Sequence, residues 1–308
     1  MVLGAGTGLL GAPRVRRTQG APMNEPAFDL AAYLARIGFD APAGAPLAAT
    51  FDVLAALVAR HAQVLPFENI EVLAGGVPGL DVASLHRKLV QGRRGGYCFE
   101  HHSLLMACLA HTGFTVRARE ARVRSGVPVG VTTARTHMAL QVTLDGGEYL
   151  VDVGFGGLAS LAPLRLHSSA VQPAGSGMYR FVELPHGEQM LQTLLHEGWS
   201  DCYQLGPGVP RPIDFVMGNW FVATHPGAML RSNLLLGRAQ AGGGRLTLFN
   251  DKLTLRQPQT AAPEERSLHT RAECVDVLAD GFGLQLEAAE LDVVMRVIER
   301  NAGAPAAT

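Results

Sequence analysis

Cysteine is scarce in this chain of 308 residues: four in all, Cys98, Cys108, Cys202 and Cys274. They lie far apart and in no paired spacing, which argues against a disulfide framework and for reduced thiols in a cytoplasmic protein. Charge of one sign is missing too. The net charge is -1 with no long basic or acidic run, so a dedicated nucleic-acid binder is not expected. No stretch approaches the ~18 apolar residues of a membrane span, and no membrane partner is expected. Hydrophobic residues make up 47% of the chain, enough for two or three lobes around a sizeable core. The first 22 residues have low complexity and a basic run, Arg14, Arg16 and Arg17. They are expected to be a disordered extension, or an upstream mis-assigned start with Met23 the natural first residue.

Helical spacing dominates the first part of the chain. Phe28 to Ile37 carries apolar residues at helical intervals and stops at Gly38. Residues 47–62 read as a second helix, with Thr50 a suitable N-cap before Phe51. Asp81 to Val90 reads as a third. A helix is then expected from Tyr97 or Cys98 to about His111. After Gly113 the period changes to two. Residues 114–119 and 138–144 read as strands, 145–147 as a turn, and 148–153 as the returning partner. Further strands are expected near 178–184, 201–205 and 244–256, so the middle of the chain reads as an antiparallel sheet or barrel. A last helix runs from Leu286 to Arg300, ahead of a Gly-Ala-Pro tail.

The chemistry concentrates in three segments. Arg93-Arg94-Gly95-Gly96-Tyr97-Cys98-Phe99-Glu100 places a cysteine where two glycines lead into a helix. The partial positive charge of a helix N-terminus favours a thiolate, which is the nucleophilic form. Thr136-His137 stands at the mouth of the strand 138–144. Asp152 stands in an otherwise apolar strand, where a carboxylate needs a partner. The hairpin centred on 145–147 brings His137 and Asp152 to the same open end. A thiol, a base and an orienting carboxylate are the parts of a nucleophilic triad. Other readings stay open at this point. Cys98 could be a small buried hydrophobe, as Cys108 is in its apolar run. Cys98, His101 and His102 share one helical face and would suit a zinc ion. The glycines at 154, 156 and 157 lack the spacing of a dinucleotide or phosphate loop.

The chain resembles the arylamine N-acetyltransferases. The likeness rests on Phe28-Asp29-Leu30, Pro66-Phe67-Glu68-Asn69, Arg94 to Glu100, Thr136-His137, Val151-Asp152-Val153-Gly154-Phe155-Gly156 and Asn219-Trp220, in order over about residues 24 to 300. The resemblance implies an α+β fold of three domains with a papain-like catalytic core. These are an N-terminal helical bundle (23–113), a central antiparallel β-barrel (114–222) and a C-terminal α/β lid with a flexible tail (223–308). It implies a Cys98-His137-Asp152 triad where the first two domains meet. Phe67 and Phe155 would line the acyl-acceptor pocket, and coenzyme A would contact Thr133, Ala134, Phe221 and Gly227. The implied activity is double displacement, with acetyl-CoA as co-substrate, no metal, and small aromatic amines or hydrazines as acceptors. His102, Ala134 and Gly227 depart from residues common in the family. A cysteine amidase or hydrolase with the same triad is the alternative.

Overall fold

The computed structural model describes residues 28–41, 46–144, 146–175, 177–258 and 262–301. The expected extension at 1–22 and most of the Gly-Ala-Pro tail lie outside the described residues. Helix α1 (Leu30–Ile37) begins where the Asp29 carboxylate accepts the Ala32 N–H at 2.9 Å, and it ends at Gly38 with φ 64°. Helix α2 (Phe51–Val64) starts after Thr50, whose hydroxyl accepts the Val53 N–H. Both are shorter at the front than their apolar spacing suggests, because the capping side chain sits outside the helix. A two-residue strand β1 (Phe67–Glu68) and a short helix α3 (Ile70–Leu73) follow. Helix α4 (Val82–Leu85) continues as a π-helical turn over His86–Gln91. Helix α5 (Cys98–His111) then opens on the cysteine.

The barrel is built from β2 (Thr115–Val123), β3 (His137–Leu144), β4 (Gly147–Val151), β5 (Leu164–Arg165), β6 (Gln172–Ala174), β7 (Gly177–Glu183), β8 (Gln189–Leu195) and β9 (Gly198–Leu205). Its order is β5-β4-β3-β2-β9-β8-β7-β6, antiparallel throughout. The seam between the two edge strands is bridged by a side chain. The Gln172 amide accepts the Arg165 N–H at 2.7 Å and donates to the Arg165 carbonyl at 2.9 Å, as a strand would. Leu150, Phe181, Leu191 and Cys202 fill the interior. Asp152 lies just beyond the end of β4 rather than inside the strand, a correction to the sequence reading.

Helix α6 (Pro212–Thr224) carries no amphipathic signal in the sequence, because its apolar residues occupy every face. Phe215 and Val222 are buried while Ile213, Met217 and Trp220 are exposed. The last part holds β10 (Leu235–Ala239), β11 (Arg245–Phe249), β12 (Lys252–Arg256), β13 (Glu264–Ser267), α7 (Arg271–Asp276) and α8 (Ala288–Asn301). The expected strand at 244–256 is in fact the β11–β12 hairpin, turned at Asn250 with φ 53°. On α8 the buried residues Leu291, Val294, Met295 and Ile298 recur at helical spacing and close a core with Leu236, Leu248 and Phe282. The sheet order here is β1-β10-β11-β12-β13, so the helical part lends a strand to the C-terminal sheet. Helix α5 packs on β2 and β3, and residues of α1 and α2 share its core with Leu104, Leu105 and Val142.

Candidate active site

The loop before α5 is clamped from below. Arg94 pairs with the buried Glu68 at 2.7 Å and with Glu290 of α8. The Gly96 carbonyl accepts the Glu68 N–H at 2.7 Å, and the Gly96 N–H donates to the Pro66 carbonyl. A Cβ on Gly95 would lie 2.1 Å from the Pro66 oxygen, so only glycine fits this approach. Glu100, three residues into the turn, accepts the Tyr97 N–H and the Lys88 ammonium. Burial pushes its carboxyl up to about 7 even with Lys88 pulling the other way. The Arg-Gly-Gly run is thus the means by which a loop with an ion pair beneath it delivers Cys98 to the first position of α5.

Cys98 is 5% exposed. Its Sγ donates to the Thr136 carbonyl at 3.8 Å, and the amides of Met138 and Phe99 are directed at it. The sulfur therefore lies against the backbone on both sides of His137. Burial pushes the Cys98 thiol up to about 12, against the pull of those amides. This is opposite to the fall that the helix N-terminus alone suggests. A lone thiolate is too costly here, so the sulfur can lose its proton only to a base that stays beside it.

His137 is buried at the start of β3, and its Nε2 lies 2.8 Å from Asp152 Oδ2. The hairpin register sets Leu140 opposite Val151, which leaves His137 and Asp152 diagonal at the open end. Asp152 is 1% exposed. Burial would raise its pKa, but His137 beside it holds the carboxyl well below the usual carboxylate range. Its Oδ1 accepts the Gly154 N–H at 2.9 Å. The His137 ring packs on Tyr203 at 4.7 Å and on the edge of Phe155 at 5.0 Å. With Nε2 on the carboxylate, Nδ1 is the nitrogen free for proton transfer.

Two side chains at this site carried no triad signal in the sequence. Tyr203 reads only as an apolar strand residue, although it walls the His137 ring. His102 reads as a zinc candidate, but it has other partners. Its Nδ1 is 2.8 Å from the Cys98 carbonyl, and its Nε2 accepts the Val153 N–H at 3.1 Å. His101 also has partners, with Nε2 on the Pro66 carbonyl at 3.1 Å and Nδ1 on His61 at 2.8 Å. Among the described residues no group of three or more His, Cys, Asp or Glu could hold a metal ion. No helix among them is long and apolar enough to cross a membrane.

The remaining expected residues fall around this centre. Phe67 is buried in β1 and stacks over His101 at 6.5 Å. It lines a small cavity with Val153 and Gly156, next to Phe155 in the chain. Thr133 is half-buried, its hydroxyl donating to the Val123 carbonyl at 2.8 Å, and Ala134 is exposed. Phe221 stacks on His225 at 4.4 Å, and the exposed Gly227 donates its N–H to His225 Nδ1. Helix α6 comes against the Arg135 backbone at Gly218, where a Cβ would meet Phe99 at 2.9 Å and the Arg135 carbonyl at 3.6 Å.

Comparison with known proteins accords with this geometry. The family described as N-acetyltransferase matches residues 50–291. The arylamine N-acetyltransferase of Escherichia coli is 36% identical over 258 residues, which is 84% of this chain and 89% of that protein. The structure of the Mycobacterium marinum arylamine N-acetyltransferase superposes with a TM-score of 0.81 at 35% identity, covering 88% of this chain and 100% of that one. The same enzyme in complex with CoA gives a TM-score of 0.79 at 36% identity, over 88% of this chain and 98% of that one. With a buried cysteine at a helix start, a histidine–carboxylate pair at the mouth of a barrel and this likeness over most of its length, the chain belongs to the arylamine N-acetyltransferase family.

Proposed function

We propose that this protein moves an acetyl group from acetyl-CoA to the nitrogen of arylamines and arylhydrazines, through an acetyl-cysteine at Cys98. The observation that carries the reading is the buried Cys98 sulfur lying against the backbone of a histidine that is itself bound to Asp152. In the first displacement Sγ attacks the thioester carbonyl carbon and its proton passes to His137. The ionised Asp152 holds the imidazolium and keeps Nε2 occupied. Backbone amides at the start of α5 are the nearest donors for the oxyanion. CoA leaves as a thiol, taking the proton from His137. In the second displacement the amine nitrogen attacks the acetyl carbon and yields its proton to His137. Cys98 leaves as a thiolate and is reprotonated.

Phe67 and Phe155 supply planar apolar walls that favour an aromatic acceptor over an aliphatic one. The loop at Thr133 and Ala134, with Phe221 near the end of α6 and Gly227 beyond it, forms the rim on which coenzyme A rests. The four unpaired, buried cysteines suit a reducing cytoplasm. Intact mass after acetyl-CoA treatment tests the reading. One acetyl group should appear on Cys98, persist without acceptor, and leave when an arylamine is added. A chain that takes no acetyl group, or loses it to water as fast as to an arylamine, is not this enzyme, and the second outcome would mark a hydrolase.

A further inference from the structure

His102 is wholly buried, and its ring joins two separate parts of the site. Nδ1 lies 2.8 Å from the Cys98 carbonyl oxygen, one turn back on α5. A carbonyl only accepts, so Nδ1 carries the proton. Nε2 lies 3.1 Å from the Val153 amide nitrogen, which only donates, so Nε2 offers its lone pair. The same Nε2 is 3.2 Å from Asp152 Oδ1, and a proton on Nε2 turned to that oxygen would leave the buried Val153 N–H without an acceptor. An imidazolium here would set its Nε2–H against the Val153 N–H. The hydrogen bonds therefore select the neutral Nδ1–H tautomer.

We propose that His102 is a positioning residue of the triad, one ring that ties the nucleophile's own backbone to the turn bearing Asp152. The proposal rests on the acetyl-transfer reading above. Residues 152–154 form a turn with both of its amides in use. The Val153 N–H goes to His102 and the Gly154 N–H goes to Asp152 Oδ1, which leaves Oδ2 facing His137. The fit has no slack, since a Cβ on Gly154 would lie 2.7 Å from His102 Cε1 and 2.8 Å from Cys98 Cα. Without His102 the buried Val153 N–H has no acceptor, and a buried donor left unmet is costly. The turn relieves that cost by moving, and the carboxylate moves with it.

The test follows single-turnover acetylation of Cys98 by acetyl-CoA in the full chain, read by intact mass well below each variant's melting temperature. His102→Leu keeps the volume and makes neither bond. His102→Gln places an amide oxygen where Nε2 accepts from Val153. His102→Leu should slow acetylation per folded molecule by about 10- to 100-fold. His102→Gln should recover most of that loss, and the acceptor KM should not change in either. Nitrogen NMR shifts of the parent should report the Nδ1–H tautomer at His102. Parent-like acetylation in His102→Leu, no recovery in His102→Gln, or an Nε2–H tautomer each overturns the proposal. If His102→Leu does not fold, the parent tautomer and a near-parent rate in His102→Gln still decide. A parent that takes no acetyl group overturns the transfer reading and this one together, whereas an active parent with an indifferent His102 removes only this one.

Discussion

At Asp152 the balance is between a carboxylate that burial disfavours and an imidazole that keeps it ionised. Asp152→Asn preserves shape and removes the charge that stabilises a protonated His137. Acetylation of Cys98 should fall by about 10³–10⁴-fold. The same change should expose what burial does to the sulfur. With the pair intact, iodoacetamide should alkylate Cys98 readily at neutral pH. In Asp152→Asn the buried thiol loses its charged partner while burial still raises its pKa, and alkylation should need alkaline solution. An unaltered pH profile in a folded variant would mean that another group activates the thiol. Gly154 is constrained from a different direction, since any Cβ meets the Cys98 backbone as well as His102. Gly154→Ala should cost about 1–3 kcal/mol of stability. It should also slow acetylation at temperatures where the variant is folded, and a parent-like rate and melting temperature would show the turn to be softer than its contacts suggest.

At the scale of elements, α1, α2 and α5 are joined by a buried polar chain with one consistent set of protons. The Pro66 carbonyl accepts from His101 Nε2, His101 Nδ1 accepts from His61 Nε2, and His61 Nδ1 accepts from the Tyr33 hydroxyl. In this set of protons both rings are neutral. Burial pushes His101 down to about 4 and His61 well below its ordinary value. In the unfolded chain both would protonate below about pH 6.5. There the unfolded state binds more protons than the folded one, so stability is full above about pH 6.5 and is lost as pH falls toward 4. Urea midpoints at neutral pH and near pH 5 should differ for this reason. His101→Leu removes one of the two protons taken up and should flatten the dependence. A slope as steep as the parent's would place the acid sensitivity elsewhere.

The whole molecule brings its parts together at one edge. Helix α5 carries Cys98, His137 opens β3, Asp152 follows the end of β4, and β1 carries Phe67 into the C-terminal sheet. Arg94 fastens the α5 loop to Glu68 and to Glu290 on the final long helix, so all three parts meet beneath the nucleophile. The proposed acceptor pocket is the place where this assembly should be felt in selectivity. Phe155→Leu trims one aromatic wall while leaving a bulky residue against His137. It should raise KM for arylamines much more than it changes acetylation of Cys98 without acceptor. Equal loss in both half-reactions would assign Phe155 to the support of His137, on whose ring it packs at 5.0 Å.

The chain alone determined whatever depends on neighbours in sequence. Thr50 and Gly38 bound their helices because capping and left-handed backbone are local properties. The 138–153 hairpin was legible because alternation and an Asp-Gly-Gly turn specify it without outside help. Cys98, His137 and Asp152 stood out for the same reason, each being an odd residue in its own short context. The tertiary structure decided what distant segments do to one another. It divided 244–256 into a hairpin and made a helix of 212–224, whose apolar residues face every way and so carry no period. It raised the Cys98 thiol, because desolvation depends on the whole enclosure and outweighs the helix terminus that the sequence shows. It also turned His102 from a metal candidate into the partner of Cys98 and Val153, since the hydrogen bonds of a ring depend on which backbone groups the fold brings beside it.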